Sequence, residues 1–128
     1  MSDVSTALGV RLYPDLVEQG GLASALAATA ARHGLDVGRL SAGDSGRSRY
    51  TQAAMACDRG SVHVRLGSDA RYFMINLSEG GRVEAHGDAC DLLPVVQVVD
   101  VWRGGVPLAD LAARFPFLTV RPARVQAS

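Results

Sequence analysis

Ser61-Val62-His63-Val64-Arg65-Leu66-Gly67-Ser68-Asp69-Ala70-Arg71-Tyr72-Phe73-Met74-Ile75-Asn76-Leu77 decides the fold. Apolar and polar side chains alternate on both sides of Ser68-Asp69, as they do in two strands joined by a turn. With Ser68-Asp69 as the turn, Leu66 faces Arg71, Val64 faces Phe73 and Val62 faces Ile75. Arg65 then faces Tyr72, His63 faces Met74 and Ser61 faces Asn76. One face is mostly apolar and the other mostly polar, so the pair specifies a sheet with one buried side.

The pattern extends in both directions. Arg49 to Cys57 alternates in the same way, with Thr51, Ala53, Met55 and Cys57 on one face and Tyr50, Gln52, Ala54 and Ala56 on the other. An Arg59-Gly60 turn sets Cys57 against Val62 and Met55 against Val64, which makes Cys57 a small buried hydrophobe. On the other side, a Ser78-Glu79-Gly80 loop puts Gly80 where a left-handed residue is wanted. Ile75 then faces Val83, Phe73 faces Ala85, Met74 faces Glu84 and Asn76 faces Arg82. Consistent faces through three hairpins predict a four-stranded antiparallel meander from Arg49 to His86.

Helices are expected at both ends. Tyr13-Pro14-Asp15 reads as a helix start, with proline pre-set for the first turn. After Gly20-Gly21, Leu22, Ala25, Leu26, Thr29 and Ala30 recur at helical spacing, and Gly34 is a suitable left-handed cap. His33 is then a cation near a helix C-terminus. Leu35 to Leu40 reads as a short edge strand, and Ser41 to Ser48 as a loop whose glycines lack phosphate-loop spacing. Asp88 is a candidate N-cap for a helix running to Trp102-Arg103, with Leu92, Val95, Val96, Val99 and Trp102 on one face. Leu108 to Arg114 makes a shorter helix, and Thr119-Val120-Arg121 a further edge strand. The expected fold class is α+β, with helices packed on one face of the meander. One domain spans the 128 residues, residues 1–11 and 122–128 being frayed ends.

Composition excludes some functions. Lys+Arg and Asp+Glu both total 13, and every one of these cations is arginine. Without basic excess there is no electrostatic footprint for nucleic acid. No apolar run reaches membrane-spanning length and the N-terminus does not read as a signal peptide, so a cytoplasmic protein without a membrane partner is expected. Cys57 and Cys90 lack metal-pair spacing, and His63 and His86 have no third ligand in pattern. Neither a metal nor a cofactor is expected.

Trp102-Arg103-Gly104-Gly105-Val106-Pro107-Leu108, followed by Leu111 and Arg114-Phe115-Pro116-Phe117-Leu118, resembles the C-terminal signature of a family of small actinomycete proteins. That family is a numbered domain of unknown function labelled natural-product biosynthesis proteins. Tyr13-Pro14-Asp15-Leu16 and the Gly20-Gly21-Leu22 helix resemble its N-terminal half. The resemblance implies a role in secondary metabolism and brings no catalytic residues with it. Trp102, Phe115 and Phe117 themselves read as seals between helices and sheet.

The remaining candidates lie on the outer sheet face. In the expected register His63, Met74 and Glu84 form one cross-strand row, Arg65, Tyr72 and His86 the next, and Ser61, Asn76 and Arg82 a third. His63 with Glu84 is a candidate acid/base pair. Tyr50, Arg65, Tyr72, Met74, Asn76 and His86 are candidates for holding a substrate or partner, and Arg65 suits a carboxylate. Two functions follow as expectations. One is an accessory or binding protein for a biosynthetic enzyme, precursor peptide or small-molecule intermediate, with a homodimer through the same face. The other is a small cofactor-free cyclase or isomerase. The residues alone do not decide whether the protein is an enzyme.

Overall fold

A computed structural model describes residues 13–42, 51–67 and 72–120. The chain is α+β, with helices on one side of an open antiparallel sheet. Helix α1 spans Pro14–Gln19 and α2 spans Leu22–His33. Strands follow at Ser41–Ala42 (β1), Gln52–Cys57 (β2), Gly60–Leu66 (β3), Phe73–Glu79 (β4) and Arg82–Ala89 (β5). Helices α3 (Leu92–Arg103) and α4 (Leu108–Arg114) and strand β6 (Leu118–Val120) complete the order. The six strands pair strictly in sequence order.

The expected meander therefore forms the middle of a wider sheet. Its two extra strands are short edges, β1 on β2 and β6 on β5. The strand expected at Leu35 to Leu40 is displaced: those residues form no strand and the two that follow do. Tyr50 and Arg71 lie outside the described residues, as do the frayed ends expected at 1–11 and 122–128.

All three hairpin registers differ from expectation by an even number of residues. Met55 stands opposite Val62 and Ala53 opposite Val64, with Asp58-Arg59 rather than Arg59-Gly60 in the turn. Cys57 accordingly pairs with Gly60, at the end of the ladder, and is half-buried. Between β3 and β4, Val64 faces Ile75 and Leu66 faces Phe73, and the Gly67 N–H donates to the Tyr72 carbonyl at 2.9 Å. Between β4 and β5, Leu77 faces Ala85, Ile75 faces Gly87 and Phe73 faces Ala89. The slip is two residues at the first two hairpins and four between β4 and β5, and an even slip keeps every side chain on its face, so alternation cannot detect it. Turn chemistry decides instead. Gly80 and Gly81 both take positive φ (63° and 83°), the geometry of the two-residue turn that strand twist prefers.

One irregularity does flip a face. The ladder shifts between Leu77 and Ser78, so Ser78 pairs with Val83 and Glu84 is the extra residue of a bulge. Val83, expected among the apolar residues opposite Ile75, is 44% exposed.

Ala53, Met55, Val62, Val64, Phe73, Ile75, Leu77, Ala85 and Ala89 supply the sheet side of one core. The helices supply the other side. Leu22, Ala25, Leu26 and Ala30 of α2 and Leu92, Val95, Val96, Val98, Val99 and Trp102 of α3 are all buried. Each buried leucine or valine contributes about 1.5–3 kcal/mol by leaving water, enough to hold a β-branched sequence helical in α3. Asp91, not Asp88, caps α3: its carboxylate accepts from the Leu92 N–H at 2.7 Å. Asp88 is in β5, opposite Met74. Gly34 closes α2 in the left-handed conformation with exposed Arg32 and His33 in the last turn, so the helix-end role of His33 holds.

Candidate functional site

The inner sheet face is consumed by the helices, so the candidate site is the outer face. The registers above redraw its rows. His63, Asn76 and His86 form one continuous cross-strand row, bounded by Ala54 and Thr119. Arg65, Met74 and Asp88 form the next, with Gln52 outside Arg65. Ser61, Ser78 and Val83 form a third. None of the three expected rows survives intact. Met74 is a neighbour of Arg65 rather than of His63, and Asn76 comes between the two histidines.

Glu84 sits in the bulge and pairs with no residue of β4. The row that carries His63 reaches β5 at His86, so the ladder does not place Glu84 beside His63. His63, Arg65, His86 and Asp88 are exposed, while Met74 and Asn76 are half-buried. Neighbouring strands stand about 4.8 Å apart, so His63 and His86 are about 10 Å apart at the backbone. Among the described residues no group of three or more His, Cys, Asp or Glu side chains is placed to hold a metal ion.

Tyr72 does not stand opposite Arg65, whose partner on β4 is Met74. It precedes β4 and its ring lies over Gly67, where a Cβ would come within 2.0 Å of the ring. Its backbone is clipped by Tyr13, whose buried hydroxyl donates to the Gly67 carbonyl at 2.7 Å and accepts from the Tyr72 N–H at 3.3 Å. The Tyr13 ring meets Phe73 edge-on, with centroids 5.8 Å apart. Tyr13 thus fastens the start of α1 to Gly67 and Tyr72, beside the ends of β3 and β4.

A polar cluster lies at the other end of the sheet, and the sequence does not point to it. Glu79 at the end of β4 accepts from Arg59 Nε at 2.8 Å and from the Trp102 indole N–H at 3.0 Å, both on Oε2. The Arg59 guanidinium also donates to the carbonyls of Trp102 (2.6 Å) and Val106 (2.8 Å) and lies 5.2 Å from the centroid of the Trp102 ring. Arg59 Nε and Nη1, Glu79 Oε2 and the Trp102 indole N–H all have partners within the protein. The cluster ties the β2–β3 turn, the end of β4, the end of α3 and the loop beyond it, which makes it a fastening rather than a site. No spacing rule links positions 59, 79 and 102, and only Trp102 stands out in the sequence, as a seal.

A second tie crosses the helix layer. The Arg103 guanidinium pairs with Asp36, and the Asp36 N–H donates to Asp100 at 2.9 Å. The hydrogen bond from Arg103, with help from the Gly38 N–H, holds the Asp36 carboxyl below the usual aspartate range. A carboxyl whose pKa falls on folding adds stability above its unfolded value and loses it as pH drops through the folded value. Asp36 is exposed, so the contribution is small. Carboxyl NMR is expected to show Asp36 titrating below the ordinary aspartate range and returning toward it in Arg103→Gln. An unchanged midpoint in that variant would remove Arg103 as the cause.

No family model, curated protein or solved structure matches the chain. No helix among the described residues is long and apolar enough to cross a membrane.

Proposed function

We propose that the protein is an accessory binding protein of a natural-product biosynthetic pathway, working through the outer face of its sheet. Its pathway component would be an enzyme, a precursor peptide or a biosynthetic intermediate. The pathway context comes from the resemblance carried by Trp102 to Leu118. The observation that supports binding is the form of the outer face. It is an open sheet surface whose charged and imidazole side chains stand exposed in separate rows. Acid/base chemistry favours groups that converge on one atom in a water-excluded pocket. Contact with a partner surface needs breadth, with polar groups around a drier centre. Half-buried Met74 and Asn76 between exposed Arg65, His63, His86 and Asp88 have that arrangement.

The test is deletion of the gene in its native strain, followed by complementation and metabolite profiling. His63→Ala is expected to restore product, because a single imidazole adds little to a broad contact. Arg65→Glu is expected not to, because it reverses the charge of the face. Loss of product with His63→Ala, together with normal product with Arg65→Glu, would overturn the binding role and favour the cyclase or isomerase.

A further inference from the structure

The two central rows of the outer face share one symmetry. Across β3, β4 and β5 one row reads Arg65, Met74, Asp88 and the other His63, Asn76, His86. About β4, the first is opposite in charge on its two sides, and the second is the same in kind on both. Neither Arg65 nor Asp88 forms an ion pair with a described residue, and both are exposed. Met74 and Asn76, on the central strand, are half-buried.

We infer that this face packs against the same face of a second copy of the chain, about a two-fold axis running along β4. Such an axis lies in the plane of contact and exchanges the β3 and β5 sides of the sheet. Arg65 of each copy then lies over Asp88 of the other, giving two equivalent ion pairs from one pattern. Met74 meets Met74 at the axis, and Asn76 meets Asn76, whose amide supplies both donors and acceptors for a self-complementary pair. His63 of each copy lies over His86 of the other. A two-fold contact requires that residue i meet residue j while j meets i. The two rows satisfy that condition without any residue facing a like charge. The result is two sheets stacked face to face, the ordinary packing of sandwiches.

The inference rests on the proposed reading of that face as a contact surface and names a second copy as its occupant in the free protein, which the pathway component displaces. Charge exchange tests it on the intact chain, with folding checked by circular dichroism and mass by sedimentation or light scattering. The wild type is expected to be a dimer. Arg65→Asp and Asp88→Arg, made separately, are each expected to weaken it roughly 100-fold, because each sets like charges against one another twice. Mixing the two single variants is expected to restore a dimer, since the acidic pair of one then meets the basic pair of the other. The double variant is expected to dimerise as well.

A wild type that stays monomeric at its highest soluble concentration overturns the inference. So does a dimer indifferent to both charge changes, or a mixture that stays monomeric. The complementation strain separates this from failure of the functional reading. A monomeric protein whose Arg65→Asp variant loses product uses the face for another partner. A monomeric protein whose variant restores product fails on both counts.

Discussion

Trp102→Ala is expected to lower stability by about 3–5 kcal/mol, the usual range for emptying a buried aromatic site. Trp102 is fully buried and is among the largest side chains of the core. Its loss leaves a cavity at the end of α3. It also removes the surface over which the Arg59 guanidinium lies and one of the donors to Glu79. Trp102→Phe separates the two effects. The ring largely fills the space, so the remaining loss is the indole hydrogen bond to a carboxylate, about 1.5–3 kcal/mol. Denaturant unfolding measures both, read as a shift in midpoint at constant slope. A midpoint within error of wild type for Trp102→Ala would mean that α3 does not rest on this residue.

That expectation shows how unevenly the structure is written in the sequence. Trp102 as a seal was legible, because a lone large aromatic on the buried face of a helix has few other uses. Arg59 and Glu79 read as turn residues, but only Arg59 is one; Glu79 is the last residue of β4. Their joint role depends on two hairpins and a helix end arriving at one place, and no local pattern encodes that. The sheet faces were legible from alternation alone, and Val62, Val64, Phe73, Ile75 and Leu77 are all buried as expected. The registers were not, since an even slip leaves alternation unchanged. The candidate site suffered for it. The same even slip that left the core intact exchanged every cross-strand neighbour on the outer face, separating His63 from Met74 and joining His63, Asn76 and His86. The bulge at Glu84 was invisible because neither Val83 nor Glu84 is unusual in a regular strand.

Gly60→Ala is expected to be costly although it adds one methyl group. The added Cβ would lie 1.9 Å from the carbonyl oxygen of Ser78 and 3.1 Å from Glu79 Cα. Both belong to the backbone of β4, so no side chain can swing aside. Only separation of β3 from β4 relieves the clash, and that opens the ladder at Ser61 and Ser78. Overpacking of side chains costs about 1–3 kcal/mol, and a clash against a hydrogen-bonded strand belongs at or above the top of that range. The damage also reaches the neighbouring residues. Arg59 precedes Gly60, and Glu79 is on the strand that must move, so the 2.8 Å ion pair between them is pulled apart as well. The two effects are therefore not independent. In wild type, Glu79→Gln is expected to cost about 1.5–3 kcal/mol by weakening a charge-assisted pair. On the Gly60→Ala background the same change is expected to cost less than half as much, because the pair is already disrupted. A double-mutant cycle by denaturant unfolding reads this directly. Additive effects would show that β4 absorbs the methyl group without moving Glu79, and that the fastening at Trp102 is independent of the turn beside it.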